Sequence, residues 1–112
     1  MPQLLVCSVL VLLLAGCAFD PERTRLMNER YPSYPEEIKR AIDHGYLIYG
    51  MTADQAYLAL GPPHCKAAER HDNKTVETWM YPPDEGFPCT RASNKVFFDK
   101  GSVIGWKFTY TK

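Results

Sequence analysis

The N-terminus of the chain is an uncharged, apolar segment. Residues 4–15 are apolar except for Cys7 and Ser8, and no charged side chain occurs before Asp20. The segment is shorter than the roughly 20 residues that a helix needs to cross the hydrocarbon core of a bilayer. Its length is typical of the apolar region of a secretory signal peptide. The pattern therefore predicts an export signal over residues 1–16.

The apolar segment ends in the sequence LAGC, in which two small residues precede Cys17. This arrangement resembles the lipobox of bacterial lipoproteins, where the cysteine thiol receives a diacylglycerol group and cleavage follows on its N-terminal side. We expect a mature chain that begins at lipidated Cys17, since more than one acyl chain holds a protein stably on a membrane. One departure from a typical signal peptide is that residues 1–3 lack a Lys or Arg. The alternative interpretation of the segment is a buried apolar helix with an unrelated cysteine.

Ala18 bears on the membrane to which such a protein is sent. Aspartate directly after the lipidated cysteine typically marks retention in the inner membrane of enteric bacteria, and alanine does not. The expected location is therefore the periplasmic face of the outer membrane, with the lipid as the membrane contact.

Charge and cysteine content limit the functions open to the remaining 96 residues, 17–112. The chain has 13 basic and 13 acidic side chains, and all of them follow Cys17. This balance argues against a nucleic-acid partner, which would favour a basic excess. Cys65 and Cys89 remain after processing, and in an oxidising compartment such a pair predicts one disulfide.

The residues directly after Cys17 are predicted to form a tether. Residues 17–34 are polar and charged, and prolines at 21, 32 and 35 disfavour regular structure. We therefore expect a spacer over residues 17–34 and a folded domain over 35–112. Tyr31 and Tyr34 are unusual for a spacer, and either pack back onto the domain or contact a partner.

Two short helices are predicted at the start of this domain. Residues 35–44 carry an apolar stripe, with Ser33 and Glu36 spaced as a capping box and Gly45 as a stop. A second helix follows Thr52, which with Gln55 forms another capping box. Its apolar face has members at 53, 56, 57 and 60, and Gly61 with two prolines ends it.

The second half of the chain predicts an antiparallel sheet. Candidate strands cover residues 65–70, 75–81, 95–98 and 102–110, with a long loop over 82–94. In the last strand, apolar residues at 104, 106, 108 and 110 alternate with more polar ones. We expect the two helices to pack against this apolar face, formed by Ile104, Trp106, Phe108 and Tyr110. The fold class is therefore α+β, with two helices on one face of a three- to four-stranded sheet.

The order of several short motifs resembles the SmpA/OmlA family of outer-membrane lipoproteins, also called BamE-like. The motif residues are Gly50, Met51, Thr52, Leu60, Gly61 and Pro63, followed by Trp79-Met80-Tyr81 and the hairpin around Asp99. Ala56, where the family commonly has valine, and the cysteine pair depart from its pattern. The resemblance implies the fold, a role in outer-membrane protein assembly or envelope integrity, and an envelope protein partner. From the residues themselves, the motif is structural, with Met51, Trp79 and Trp106 expected in the core.

Catalytic motifs do not occur in the sequence, so we expect neither an enzyme nor a cofactor. The alternative function is a periplasmic ligand- or metal-binding lipoprotein that uses His64, Cys65, His71 and Cys89. Adjacent residues of a strand point to opposite faces, which weakens the grouping of His64 with Cys65. The favoured interpretation is a non-catalytic interaction module, with contact through a sheet edge, the 82–94 loop or the Tyr31/Tyr34 segment.

Overall fold

Three helices precede a four-stranded antiparallel meander in the computed structural model, which describes residues 20–83 and 86–108. The helices are α1 (Pro21–Glu29), α2 (Glu36–His44) and α3 (Ala53–Leu60), and the strands are β1 (Cys65–His71), β2 (Lys74–Met80), β3 (Lys95–Asp99) and β4 (Ser102–Lys107). Short 3-10 turns cover Tyr31–Ser33 and Cys89–Arg91. The predicted α+β class is confirmed. Within these described ranges, no helix is long and apolar enough to cross a membrane.

The expectation of a spacer without regular structure is wrong over residues 20–34, where α1 and a 3-10 turn form. Asp20 caps α1 by accepting a hydrogen bond from the backbone N–H of Arg23 at 3.1 Å, and Pro21 occupies a first-turn position that needs no N–H donor. Leu26 is fully buried in the core. Burial of this side chain ties α1 to the domain, although the other residues of the helix are mostly polar.

Tyr31 and Tyr34 pack onto the domain, the first of the two alternatives considered for them. Both are partly buried against the core cluster, and their rings meet edge to face with centroids 6.5 Å apart. The Tyr31 hydroxyl donates to Oδ1 of Asp43 at 2.8 Å. The two tyrosines therefore join the turn after α1 to α2.

Helix α2 forms where predicted but begins differently. Its N-cap is Pro35, which makes no side-chain capping bond, so the predicted Ser33/Glu36 capping box is wrong. The Ser33 hydroxyl instead donates to the carbonyl of Arg30, because Ser33 belongs to the preceding 3-10 turn. Ala41 and Ile42 are buried as the stripe predicts, and the helix ends at Gly45 in the left-handed region.

Helix α3 has the predicted capping box. Thr52 Oγ1 accepts from the backbone N–H of Gln55 at 3.2 Å, and Gln55 Oε1 accepts from that of Thr52 at 3.0 Å. Ala56 is buried on the predicted face, and Leu58 is buried as well. Burial of Leu58 was not predicted, since it lies off the stripe; in the fold it belongs to the hydrophobic core cluster.

The last strand presents a different residue to the helices than its sequence predicts. A register shift between Phe97 and Phe98 places Val103 opposite Phe98, and Val103 is buried. Ile104 is 47% exposed, so its predicted place under the helices is wrong. Trp106 and Phe108 do pack partly against the core, while Tyr110 lies outside the described residues.

The sheet is covered on both faces. The helices and Leu47 and Met51 pack against Trp79, Val96, Phe98 and Val103 on one face. Val76, Thr78, Met80 and Ala92 are also buried but do not belong to this cluster. In β2, Val76, Thr78 and Met80 alternate with Glu77 and Trp79, so these three lie on the opposite face. The 86–94 segment, which carries Ala92, supplies the cover on that side.

Candidate interaction surface

The two cysteines of the folded part are joined, as predicted. The Sγ atoms of Cys65 and Cys89 are bonded, with the Cα atoms 6.3 Å apart and the two residues 24 positions apart in the sequence. Cys65 is the first residue of β1, and Cys89 begins the 3-10 turn of the long loop. The bond therefore fastens the loop to the sheet and occupies both thiols that a metal site would need.

The histidines of the alternative metal site are far apart. His64 precedes β1 and His71 is its last residue, a separation of about 23 Å at the usual rise of a strand. No group of three or more His, Cys, Asp or Glu side chains suited to a metal ion occurs in residues 20–83 and 86–108. His71 instead lies 3.4 Å from Glu69. The structure thus does not bring the proposed ligands together.

The motif around Gly50 has a structural role. The backbone N–H of Gly50 donates to the carbonyl of Val103 at 2.9 Å, and that of Val103 donates to the carbonyl of Met51 at 2.8 Å. Thr52 forms an isolated bridge with Ser102. Met51 is fully buried, as predicted. These bonds pair the start of β4 with the turn before α3.

The Leu60-Gly61 motif lies at the C-terminal end of α3. Gly61 has a φ of 85°, which favours glycine, and its carbonyl accepts a hydrogen bond from the Tyr81 hydroxyl at 3.0 Å. Leu60 packs partly against the core. Burial raises the pKa of Tyr81 well above its ordinary value. Leu60 and Gly61 therefore have a structural role.

The predicted lipidation site, Cys17, lies outside the described residues.

The outer edge of β4 lies beside two aromatic side chains, Tyr49 and Trp106. Strand β4 is an edge strand, and within the described ranges no segment pairs with its outer side, the side away from β3, beyond Val103. Tyr49 is 69% exposed and lies against Trp106, with ring centroids 4.7 Å apart. A large exposed aromatic residue held in place by a second one is typical of a protein contact.

An apolar groove lies on the other face of the same strand. Its volume is about 220 Å³, and it is lined by His71, Val76, Phe97, Ile104 and Gly105. Ile104 contributes because the register shift turns it outward. Together, the groove and the Tyr49/Trp106 pair flank β4 on its two faces. We call this surface, formed by Tyr49, Trp106, Phe97, Ile104 and the β4 backbone, the β4 edge.

The rim next to the groove is mainly cationic. Arg91, Lys95 and Lys107 line the adjoining hollow together with Glu69. Glu69 lies 3.8 Å from the Lys95 ammonium, so it offsets part of this charge. The remaining positive charge of the rim favours a partner segment with acidic residues beside its apolar ones.

The sequence predicts a contact through a sheet edge but does not identify Tyr49 or Ile104 as part of it. Tyr49 sits in a short connection without periodicity, and the stacking on Trp106 is a tertiary contact. Ile104 fits the apolar alternation of β4 so well that the sequence predicts it buried. The isolated Gly105 within the strand was the available signal, since glycine in a strand often marks a bulge.

The β4 edge can take an extended peptide, because an exposed strand offers backbone N–H and C=O groups and flanking apolar side chains. Comparison with known proteins gave no matching family model, no similar curated protein and no similar solved structure.

Proposed function

We propose that this protein is a lipid-anchored envelope protein whose domain acts as a non-catalytic interaction module. The lipobox-like sequence before Cys17 supports the anchor, and Ala18 supports the periplasmic face of the outer membrane. A disulfide between Cys65 and Cys89 agrees with an oxidising compartment. The resemblance to the SmpA/OmlA lipoproteins favours a role in outer-membrane protein assembly or envelope integrity.

The proposed contact is the β4 edge, and its partner is an extended segment of another envelope protein. The exposed Tyr49 on Trp106 is the observation that carries this assignment. A segment added beside β4 would place alternate side chains against Trp106 on one face and against the Phe97/Ile104 groove on the other. The Tyr31/Tyr34 segment is a less suitable contact, since both tyrosines are engaged with the domain.

Site-specific photo-crosslinking in the intact lipoprotein tests this proposal. A photoreactive residue replaces Tyr49, Ile104 or, as control, the exposed Arg70 on β1, the opposite edge strand. We expect positions 49 and 104 to capture the same envelope protein and position 70 not to capture it. Equal capture from all three positions, or none from 49 and 104, would contradict the assignment.

A binding measurement with the captured partner provides the second test. Tyr49→Ala is expected to weaken binding at least tenfold, because truncation of a central aromatic contact commonly costs more than about 1.4 kcal/mol. Arg70→Ala should leave the affinity within about threefold, as expected for residues outside a contact. Far-ultraviolet circular dichroism of both variants checks that the fold is intact.

A further inference from the structure

The folded domain begins very close to the predicted lipid attachment. Two residues, 18 and 19, separate Cys17 from Asp20, the N-cap of α1. Three peptide units span at most about 11 Å between Cα atoms when fully extended. A lipid on Cys17 would therefore hold Asp20 within about that distance of the attachment point.

Asp20 is in turn fixed to the rest of the domain. Its Oδ2 accepts a hydrogen bond from the Tyr57 hydroxyl of α3 at 2.6 Å, and its Oδ1 caps α1. The guanidinium of Arg23 donates to the carbonyl of Leu58, and Leu26 is fully buried. For α1 to lengthen the tether, all these contacts would have to break.

We infer that the end of the domain formed by Asp20, the first turn of α1 and Tyr57 rests against the lipid headgroups. This inference rests on the proposed lipidation of Cys17. The partner of this surface is the bilayer itself, and the contact is polar because Glu22, Thr24 and Arg25 are exposed there. The buried Leu26 leaves α1 without the exposed apolar face that a helix needs to insert among acyl chains.

The sheet provides the comparison site for this test. The Tyr81 hydroxyl bonds the Gly61 carbonyl at the end of α3, and β1 starts a few residues later. Arg70 lies five residues along that strand from Cys65, or about 16 Å. A probe at Thr24 is therefore expected to lie nearer to the membrane than a probe at Arg70.

Spin labels on the full-length lipoprotein in phospholipid vesicles test the inference. In the processed lipoprotein, Thr24→Cys and Arg70→Cys give single labelling sites, because residues 1–16 with Cys7 are removed, the thiol of Cys17 carries the lipid, and Cys65 and Cys89 are bonded to each other. A lipid carrying chelated nickel at its headgroup relaxes nearby labels. We expect severalfold stronger relaxation at position 24 than at position 70, and no relaxation of either label by a spin probe at the bilayer centre.

A lengthened spacer is the matched control. Twelve Gly/Ser residues inserted after Ala18 have a root-mean-square span of about 19 Å, enough to release the domain from the surface. The difference between the two labels should then largely disappear. Equal relaxation in the original, vesicle-bound protein would overturn the inference while leaving the anchor intact. Failure of the unlabelled protein to bind vesicles would overturn both the inference and the proposed anchor.

Discussion

Tyr57 of α3 donates its hydroxyl to Asp20, the residue that caps α1, across 37 positions of sequence. This hydrogen bond is the main reason that the pKa of Asp20 falls below its ordinary value of 3.8. The same bond, with burial as a smaller cause, raises the pKa of Tyr57 to about 12. The pair therefore links the N-terminus of α1 to α3.

Tyr57→Phe is expected to lower the urea midpoint of unfolding at pH 6, because it removes the donor to Asp20. A carboxylate whose folded pKa is lowered stabilises the fold above its unfolded pKa and loses that effect as pH falls through the folded value. The difference in urea midpoint between wild type and Tyr57→Phe should therefore become smaller as pH falls below 3.8. Tyr49→Phe removes a hydroxyl on the β4 side of the domain and is the control. A gap that stays constant down to pH 2 would contradict the coupling.

Replacement of both Cys65 and Cys89 by alanine is expected to lower the free energy of unfolding by about 3 kcal/mol. The bond closes a loop between residues 24 apart and thereby restricts the unfolded chain. Urea unfolding with and without reductant measures the effect. Reductant should destabilise the wild type by the same amount and leave the double variant unchanged. A variant as stable as the oxidised wild type would show that the bond contributes nothing.

Thr52→Ala is expected to cost about 1 kcal/mol of stability, because it removes half of the capping box of α3. Ser33→Ala is the matched control, since Ser33 does not cap α2. The control should change the unfolding free energy by less than about 0.5 kcal/mol, as is usual for surface positions. Equal losses in the two variants would contradict the assignment of the caps.

Thr78→Val is expected to stabilise the domain by about 1 kcal/mol. The Thr78 hydroxyl is fully buried on the loop side of the sheet and has no hydrogen-bond partner among the described residues. Valine has nearly the same shape and avoids the cost of burying an unpaired polar group. Thr75→Val, at an exposed position of the same strand, serves as control. A loss of stability in Thr78→Val would show that the hydroxyl is bonded.

Local sequence signals predicted α3 and the disulfide well. The capping box at Thr52 and the stop at Gly61 are backbone effects that act within a few residues, so they can be read directly. Helix α1 was missed because the prolines and polar residues favoured a spacer. Its signals were present in Asp20 followed by Pro21, the sequence of an N-cap and a first helical residue.

Features that depend on register could not be read in the same way. The shift between Phe97 and Phe98 decides whether Val103 or Ile104 faces the helices, and alternation alone favours Ile104. The β4 edge follows from this shift and from the stacking of Tyr49 on Trp106. Both are tertiary arrangements, so the candidate contact was predictable as a sheet edge but not by its residues.

The mass of the protein purified from a membrane fraction distinguishes a lipid-anchored chain from an unprocessed one. We expect a chain that starts at Cys17, lacks residues 1–16 and carries the mass of a diacylglycerol group and an acyl chain. A peptide map should place the added mass on Cys17. A chain that retains residues 1–16, or one that begins at an unmodified Cys17, would contradict the proposed lipid anchor.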